Sequence, residues 1–214
     1  MYFDCHKAIA KRVYDHAVTH YEIDLSQDKL LWNSIAPDII PFYKFIPHYK
    51  EESVDYIAKE IVDLIFLSQK SNLSSQDNFL NKYFSKKLGV VTHYLADYTC
   101  YPHAKRIRCS SRKNGQIHLS YEKNLNSYLE SHEFKQVRLE SMDLETQRYS
   151  KMVQQVKEYI LEAVKAYERQ PEDYGTDLDF ALALNQRVLD GILTCEDPVY
   201  EAIFQQKKSS IISL

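Results

Sequence analysis

The sequence predicts an all-α chain, a single-domain multi-helix bundle spanning residues 1–214, and three observations point there. Four glycines and six prolines punctuate 214 residues, so long stretches run without either breaker, which favours helices over turn-rich sheets. Apolar residues recur at the helical period in several segments. The Asn114-Gly115 pair follows a basic polar segment, not an alternating run, so it does not signal a hairpin.

Taken in order, the first helix is expected over Asp4 to His20, with Ile9, Val13 and Ala17 as its apolar stripe. His6 lies in its first turn; His16 and His20 read as structural. Asp24 to Tyr49 contains Pro37, Pro41 and Pro47 and reads as a loop or a set of short turns. In it Trp32 reads as a core anchor, and Asp38 either caps a short helix or serves a site. Ser53 reads as the N-cap of a helix carrying Val54, Ile57, Ile61, Leu64 and Ile65. The polar run Ser68 to Asp77 breaks it.

The next helix is expected to start near Ser75 and to pass through Leu80, Tyr83, Leu88 and Val91 as a central, buried element. Pro102 disfavours helix at Tyr101 and ends it there. Cys109 to Gln116 reads as a loop, Ile117 to Leu129 as a helix, and His132 as a surface residue. A long amphipathic helix is expected over Asp143 to Arg169, broken by Gln170-Pro171. Leu178 to Ile192, terminated by Gly191, and Pro198 to Gln206 read as closing helices, and the tail as frayed.

The formal net charge is −3, so no global basic field points to nucleic acid. Lys105, Arg106, Arg108, Arg112 and Lys113 form a local basic cluster, read first as a solvated loop and second as a steering patch for an anionic phosphate. Cys5, Cys100, Cys109 and Cys195 show no CxxC spacing. They read as free thiols and small buried hydrophobes in a reducing compartment. The charged start MYFDCHKAIAKRV offers no signal-peptide core, and no run approaches the ~20 apolar residues of a membrane span. A cytoplasmic protein without a transmembrane segment is the expectation. No heptad run or unusual apolar face sets an oligomeric state.

The chemistry concentrates in Val90 to His103, VVTHYLADYTCYPH. His93 and Asp97, four apart, share a helical face, and His103 follows just past the helix end. His118 and Glu122 repeat the four-residue spacing. A carboxylate on a buried helix needs a partner, and neutral imidazoles beside carboxylates suit a borderline cation such as Zn²⁺.

The ordered set His6, Asp38, His48, His93, Asp97, His103, His118 and Glu122 resembles the bacterial zinc-dependent phospholipase C family, over roughly His6 to Glu122. The central motif, His93-xxx-Asp97-xxxxx-His103 then His118-xxx-Glu122, carries the resemblance. It implies an all-α bundle with a trinuclear zinc cluster in a cleft between helices that hydrolyses phospholipid phosphodiester bonds. His48, His93 and Asp97 would hold one zinc, with Asp38 at that site, and His103, His118 and Glu122 a second. Asp97 would bridge to a third that also takes His6, and Asp38 would be the general base. Two to three Zn²⁺ ions are therefore expected, with a phospholipid or related phosphoester as substrate. Secreted family members begin with a Trp whose amino group and carbonyl complete the third zinc. This chain begins MYFDCH, so its third site would be supplied otherwise, be weak or be missing.

Two rival readings remain. A related trinuclear zinc nuclease family has a similar His/Asp order but closes with His-xxx-Asp where this chain has His118-xxx-Glu122. The acidic balance argues weakly against a long nucleic-acid substrate. A non-catalytic, metal-stabilised helical protein would need closed, four-ligand sites, whereas three ligands per site leave a position open.

Overall fold

The computed structural model describes residues 1–70, 73, 79–108, 111–144 and 148–195. Among these residues there are nine α-helices, one 3₁₀ helix and no strand, as the scarcity of breakers predicts. The expected helix start near Ser75, Cys109, the helix Pro198 to Gln206 and the tail lie outside the described residues.

Helix α1 (Phe3–Tyr21) buries Cys5, His6, Ile9, Ala10, Val13 and Ala17. These fall on one helical face, so the expected stripe also carries His6 inward. The chain leaves α1 through Glu22 in the left-handed conformation (φ 55°). The proline-rich stretch contains more helix than expected: α2 (Gln27–Asn33), α3 (Ala36–Ile39) and a 3₁₀ helix (Pro41–Phe45). Pro37 and Pro41 stand at the starts of the latter two, where a missing N–H costs nothing. Trp32 is 52% exposed and does not anchor the core; α2 turns Leu30 and Asn33 inward instead.

Helix α4 (Lys50–Lys70) begins before Ser53. Ser53 is not its cap; its hydroxyl donates to the Tyr49 carbonyl and meets the Tyr98 hydroxyl at 2.7 Å, tying α4 to α5. Glu51 and Glu52 occupy the first turn, where the helix dipole favours acids. Helix α5 (Phe79–Tyr98) is the central element and is buried continuously from Leu88 to Tyr98. It packs against α1, α2, α4 and α9. It ends at Tyr98, before the position expected from Pro102, and Pro102 opens a separate short helix, α6 (Tyr101–Ala104).

Helix α7 (Arg112–Leu129) starts earlier than the Ser, Asn and Gly content of its first residues suggests. Ser111 caps it by accepting from the Asn114 N–H, and that capping outweighs the poor propensities of Asn114 and Gly115. Helix α8 (Tyr149–Glu168) does not include Asp143 or Leu144. The segment before it runs without helix and plants Leu139 and Met142 in the core.

Met142 explains a second departure. Gly191 lies inside α9 (Tyr174–Thr194) and does not terminate it. A Cβ on Gly191 would stand 2.4 Å from Met142 Cε, so the glycine makes room for the crossing chain. His132 is also not a surface residue. Its side chain is 4% exposed and bonds Asp179 at 2.8 Å, pinning the chain beyond α7 to α9. His16 is structural, as expected, and meets Asp190 at 2.6 Å. No helix among the described residues is long and apolar enough to cross a membrane.

Candidate metal centre

All eight residues singled out by sequence converge on one cleft. Six segments deliver them: α1 brings His6, α3 brings Asp38, the turn before α4 brings His48, α5 brings His93 and Asp97, α6 brings His103, and α7 brings His118 and Glu122.

Asp97 stands at the middle and is fully buried. Its Oδ2 lies 2.8 Å from His48 Nδ1 and 3.3 Å from His93 Nε2. Its Oδ1 faces the other way, 3.5 Å from His6 Nε2 and 3.6 Å from His103 Nε2. One carboxylate thus addresses two clusters of imidazoles with different oxygens. Asp38 Oδ1 is 3.7 Å from both His48 Nδ1 and His93 Nε2, and its Oδ2 is 4.0 Å from His6 Nε2. Glu122 Oε1 meets His103 Nε2 at 3.1 Å and His118 Nε2 at 3.0 Å.

Three groups have ligand atoms mutually close enough to hold a cation: His48, His93 and Asp97; His103, His118 and Glu122; and His6, Asp38 and His93. The first two are the triads that the family resemblance implies. In the third, His6 gathers with Asp38 and His93.

The hydrogen bonding around the site tests whether a metal fits. His93 Nδ1 lies 2.8 Å from the Ser34 carbonyl, and His118 Nδ1 lies 2.8 Å from the Ile107 carbonyl. A carbonyl only accepts, so each Nδ1 donates and each ring turns its Nε2 toward the centre. Those Nε2 atoms face carboxylate oxygens and, for His93, the His48 ring nitrogen at 3.1 Å. A neutral ring there sets lone pair against lone pair, which a proton or a shared metal cation resolves. Both ring nitrogens of His6 are buried without any hydrogen-bond partner, as is Nδ1 of His103. Such orphaned nitrogens are costly in a closed core and natural in a metal site.

The electrostatics differ from ring to ring: against the effect of burial, Asp97 raises the His48 pKa and Glu122 raises that of His118. Burial, reinforced by His93, pushes the His6 pKa well below the usual imidazole range, and burial lowers that of His103. Both are held neutral, the form that binds metal. Burial alone would raise the Asp97 carboxyl, but His103, the Met1 amine, His93 and His6 hold it well below the usual range. Glu122 is lowered similarly, against its burial, by the Met1 amine, His103 and His118. Cys5 and Cys100 join none of the three groups among the described residues, and burial pushes Cys5 up to about 12 and Cys100 well above its ordinary value.

Sequence reasoning missed several contributors. The Met1 nitrogen is buried in the site, 2.6 Å from Asp97 Oδ1 and 3.0 Å from Glu122 Oε1. The orienting carbonyls of Ser34 and Ile107 carry no side-chain signature. Gly89 lies one turn before His93, and a Cβ there would meet the Leu30 carbonyl oxygen at 2.5 Å. Its absence lets α2 close onto α5 and bring Ser34 to His93. Asp177 lies behind the second triad. It accepts from the Tyr101 N–H at 3.0 Å, the Tyr121 hydroxyl at 3.0 Å and the Tyr167 hydroxyl at 2.5 Å, so it ties α6 and α7 to α8 and α9.

The cleft above the centre encloses about 320 Å³ and is lined by Tyr2, Phe3 and Leu119 beside Asp38, His103, His118 and Glu122. In the local basic cluster, read first as a solvated loop and second as a steering patch, Arg106 and Arg108 both pair with Glu52, and Arg106 also approaches Glu51.

A family model described as zinc dependent phospholipase C matches residues 5–174, a span that contains all eight ligand candidates from His6 to Glu122. No curated protein and no solved structure matches the chain.

Proposed function

The chain belongs to the zinc-dependent phospholipase C family, and from that premise we propose that it hydrolyses a phosphodiester bond, with a phospholipid as the first candidate substrate. The reading is carried by the two carbonyl-fixed histidines, His93 and His118, whose Nε2 atoms are aimed at carboxylate oxygens in groups whose ligand atoms converge closely enough to hold a cation. His48, His93, Asp97 and Asp38 would hold one zinc, and His103, His118 and Glu122 a second. Asp97 Oδ1 and His6 would turn toward a third, with the Met1 nitrogen beside them.

Bound there, zinc would supply Lewis-acid chemistry, neutralising phosphate charge and acidifying water. The protein's part is positional. Backbone carbonyls lock the rings of His93 and His118, so the donor atoms are preorganised. Asp38 is the general-base candidate. Its side chain is 27% exposed while that of Asp97 is buried, and it lines the cleft where a water and a phosphate would meet. Its carboxylate would orient that water and accept its proton as oxygen attacks phosphorus. The glyceryl oxygen leaves with a proton, giving a diacylglycerol and a phosphorylated headgroup. Three protein ligands in the second group leave a coordination position open, which distinguishes a catalytic from a structural site.

The test is hydrolysis by zinc-loaded protein of phosphatidylcholine dispersed in detergent, followed by diacylglycerol release. Appearance of diacylglycerol, lost on chelation and restored by zinc, supports the reading. Failure to cleave any phosphodiester while zinc is bound overturns it.

A further inference from the structure

We propose that the rim of the metal cleft is a docking face for a phospholipid bilayer bearing anionic headgroups; the inference rests on the phospholipase reading above. The 3₁₀ helix directly follows α3, the element that delivers Asp38 to the cleft. It exposes Phe42 at 68% and Phe45 at 87%. Residues three apart on a 3₁₀ helix eclipse one another, so both rings stand on one side. Ile39, next to Asp38, is exposed as well, and Tyr2, Phe3 and Leu119, which line the cleft, are exposed on its other walls. Aromatic side chains held this far into water contribute nothing to the core, and a bilayer interface is where such rings recover their burial.

The charges around these rings select the surface. Lys44 sits between the two phenylalanines, exposed and without a carboxylate partner among the described residues. Close in sequence to His103 and His118 of the cleft, Lys105, Arg112 and Lys113 are also exposed and without a carboxylate partner among the described residues, while Arg106 and Arg108 are taken by Glu52. Exposed rings and unpaired cations on the segments that build the cleft match an interface whose headgroups are anionic and whose interior is hydrocarbon. A polar or neutral protein partner would leave either the rings or the cations unsatisfied. Docked this way, the cleft opens toward the headgroup layer where its substrate lies.

The experiment compares the zinc-loaded full chain with a Phe42→Ala/Phe45→Ala variant and a Lys105→Gln/Arg112→Gln/Lys113→Gln variant. Each is sedimented with vesicles of phosphatidylcholine alone and of phosphatidylcholine with phosphatidylglycerol. In parallel, each is assayed on a short-chain phosphatidylcholine kept monomeric. The expected result is retention on the phosphatidylglycerol vesicles that falls at least about tenfold in the phenylalanine variant and falls with added salt. Its rate on the monomer should stay unchanged. Wild-type-like retention of the phenylalanine variant, or equal retention of the native chain on both vesicle types, would overturn the proposal. Retention as expected without hydrolysis of the monomer supports docking and instead defeats the hydrolytic reading, so the two claims fail separately.

Discussion

His93 Nδ1 lies 2.8 Å from the Ser34 carbonyl oxygen, and this contact joins the central helix to the turn that follows α2. It depends on a neighbour that carries no chemistry. Gly89 allows α2 to lie against α5 with no room for a methyl group. Gly89→Ala should therefore cost about 1–3 kcal/mol by overpacking and weaken zinc binding at the His48, His93 and Asp97 group. Thermal unfolding with a zinc titration checks both. Native stability with native zinc affinity would show that the close approach is not needed.

Asp38 faces His48 and His93 with one oxygen and His6 with the other, from the solvent side of the cleft. Asp38→Asn keeps the shape and removes the base. Turnover should fall about 10²–10⁴-fold, the usual contribution of a positioned general base, while circular dichroism stays native. Undiminished turnover would remove Asp38 from the catalytic role.

Asp177 touches no residue of the centre but holds the backbone of α6 and the hydroxyl of Tyr121, the neighbour of Glu122. Asp177→Ala would strand buried donors on Tyr101, Tyr121 and Tyr167, at about 1–3 kcal/mol for each group left unsatisfied. Calorimetry should show the loss of stability. Zinc bound to the His103 group should weaken more than zinc bound to the His93 group. Equal weakening of both would mean that the effect is general loosening.

His132 reads from sequence as an inert surface residue, and in the structure it makes a partly buried hydrogen bond to Asp179, which also accepts from the Lys135 N–H. His132→Ala should lower stability by about 1–3 kcal/mol while leaving the zinc content unchanged. A changed zinc content would place His132 within reach of the centre.

The candidate metal centre was legible where its signal runs along a single helix. His93 with Asp97, and His118 with Glu122, are each four residues apart, and helical geometry alone puts each pair on one face. Pro102 marks the break between α5 and α6 to within a few residues for an equally local reason. What stayed hidden depends on segments far apart in sequence. Ser53 resembles a cap until Tyr98 is seen to take its hydroxyl. Gly191 resembles a terminator until Met142 crosses it, and Trp32 resembles a core anchor until α2 turns Leu30 and Asn33 inward. Main-chain partners such as the Ser34 and Ile107 carbonyls cannot be read from residue identity at all.

The central claim is that the inward-facing nitrogens of His93 and His118 are arranged for metal. Its most direct test is elemental analysis of protein purified without added metal or chelator, beside His93→Ala and His118→Ala. The account predicts about two to three zinc ions per chain, corresponding to the groups whose ligand atoms converge. Each variant should lose at least one of them, with phosphodiester hydrolysis lost in parallel. Chains that bind no zinc even when it is offered, or variants that keep the native zinc content and full activity, would contradict it.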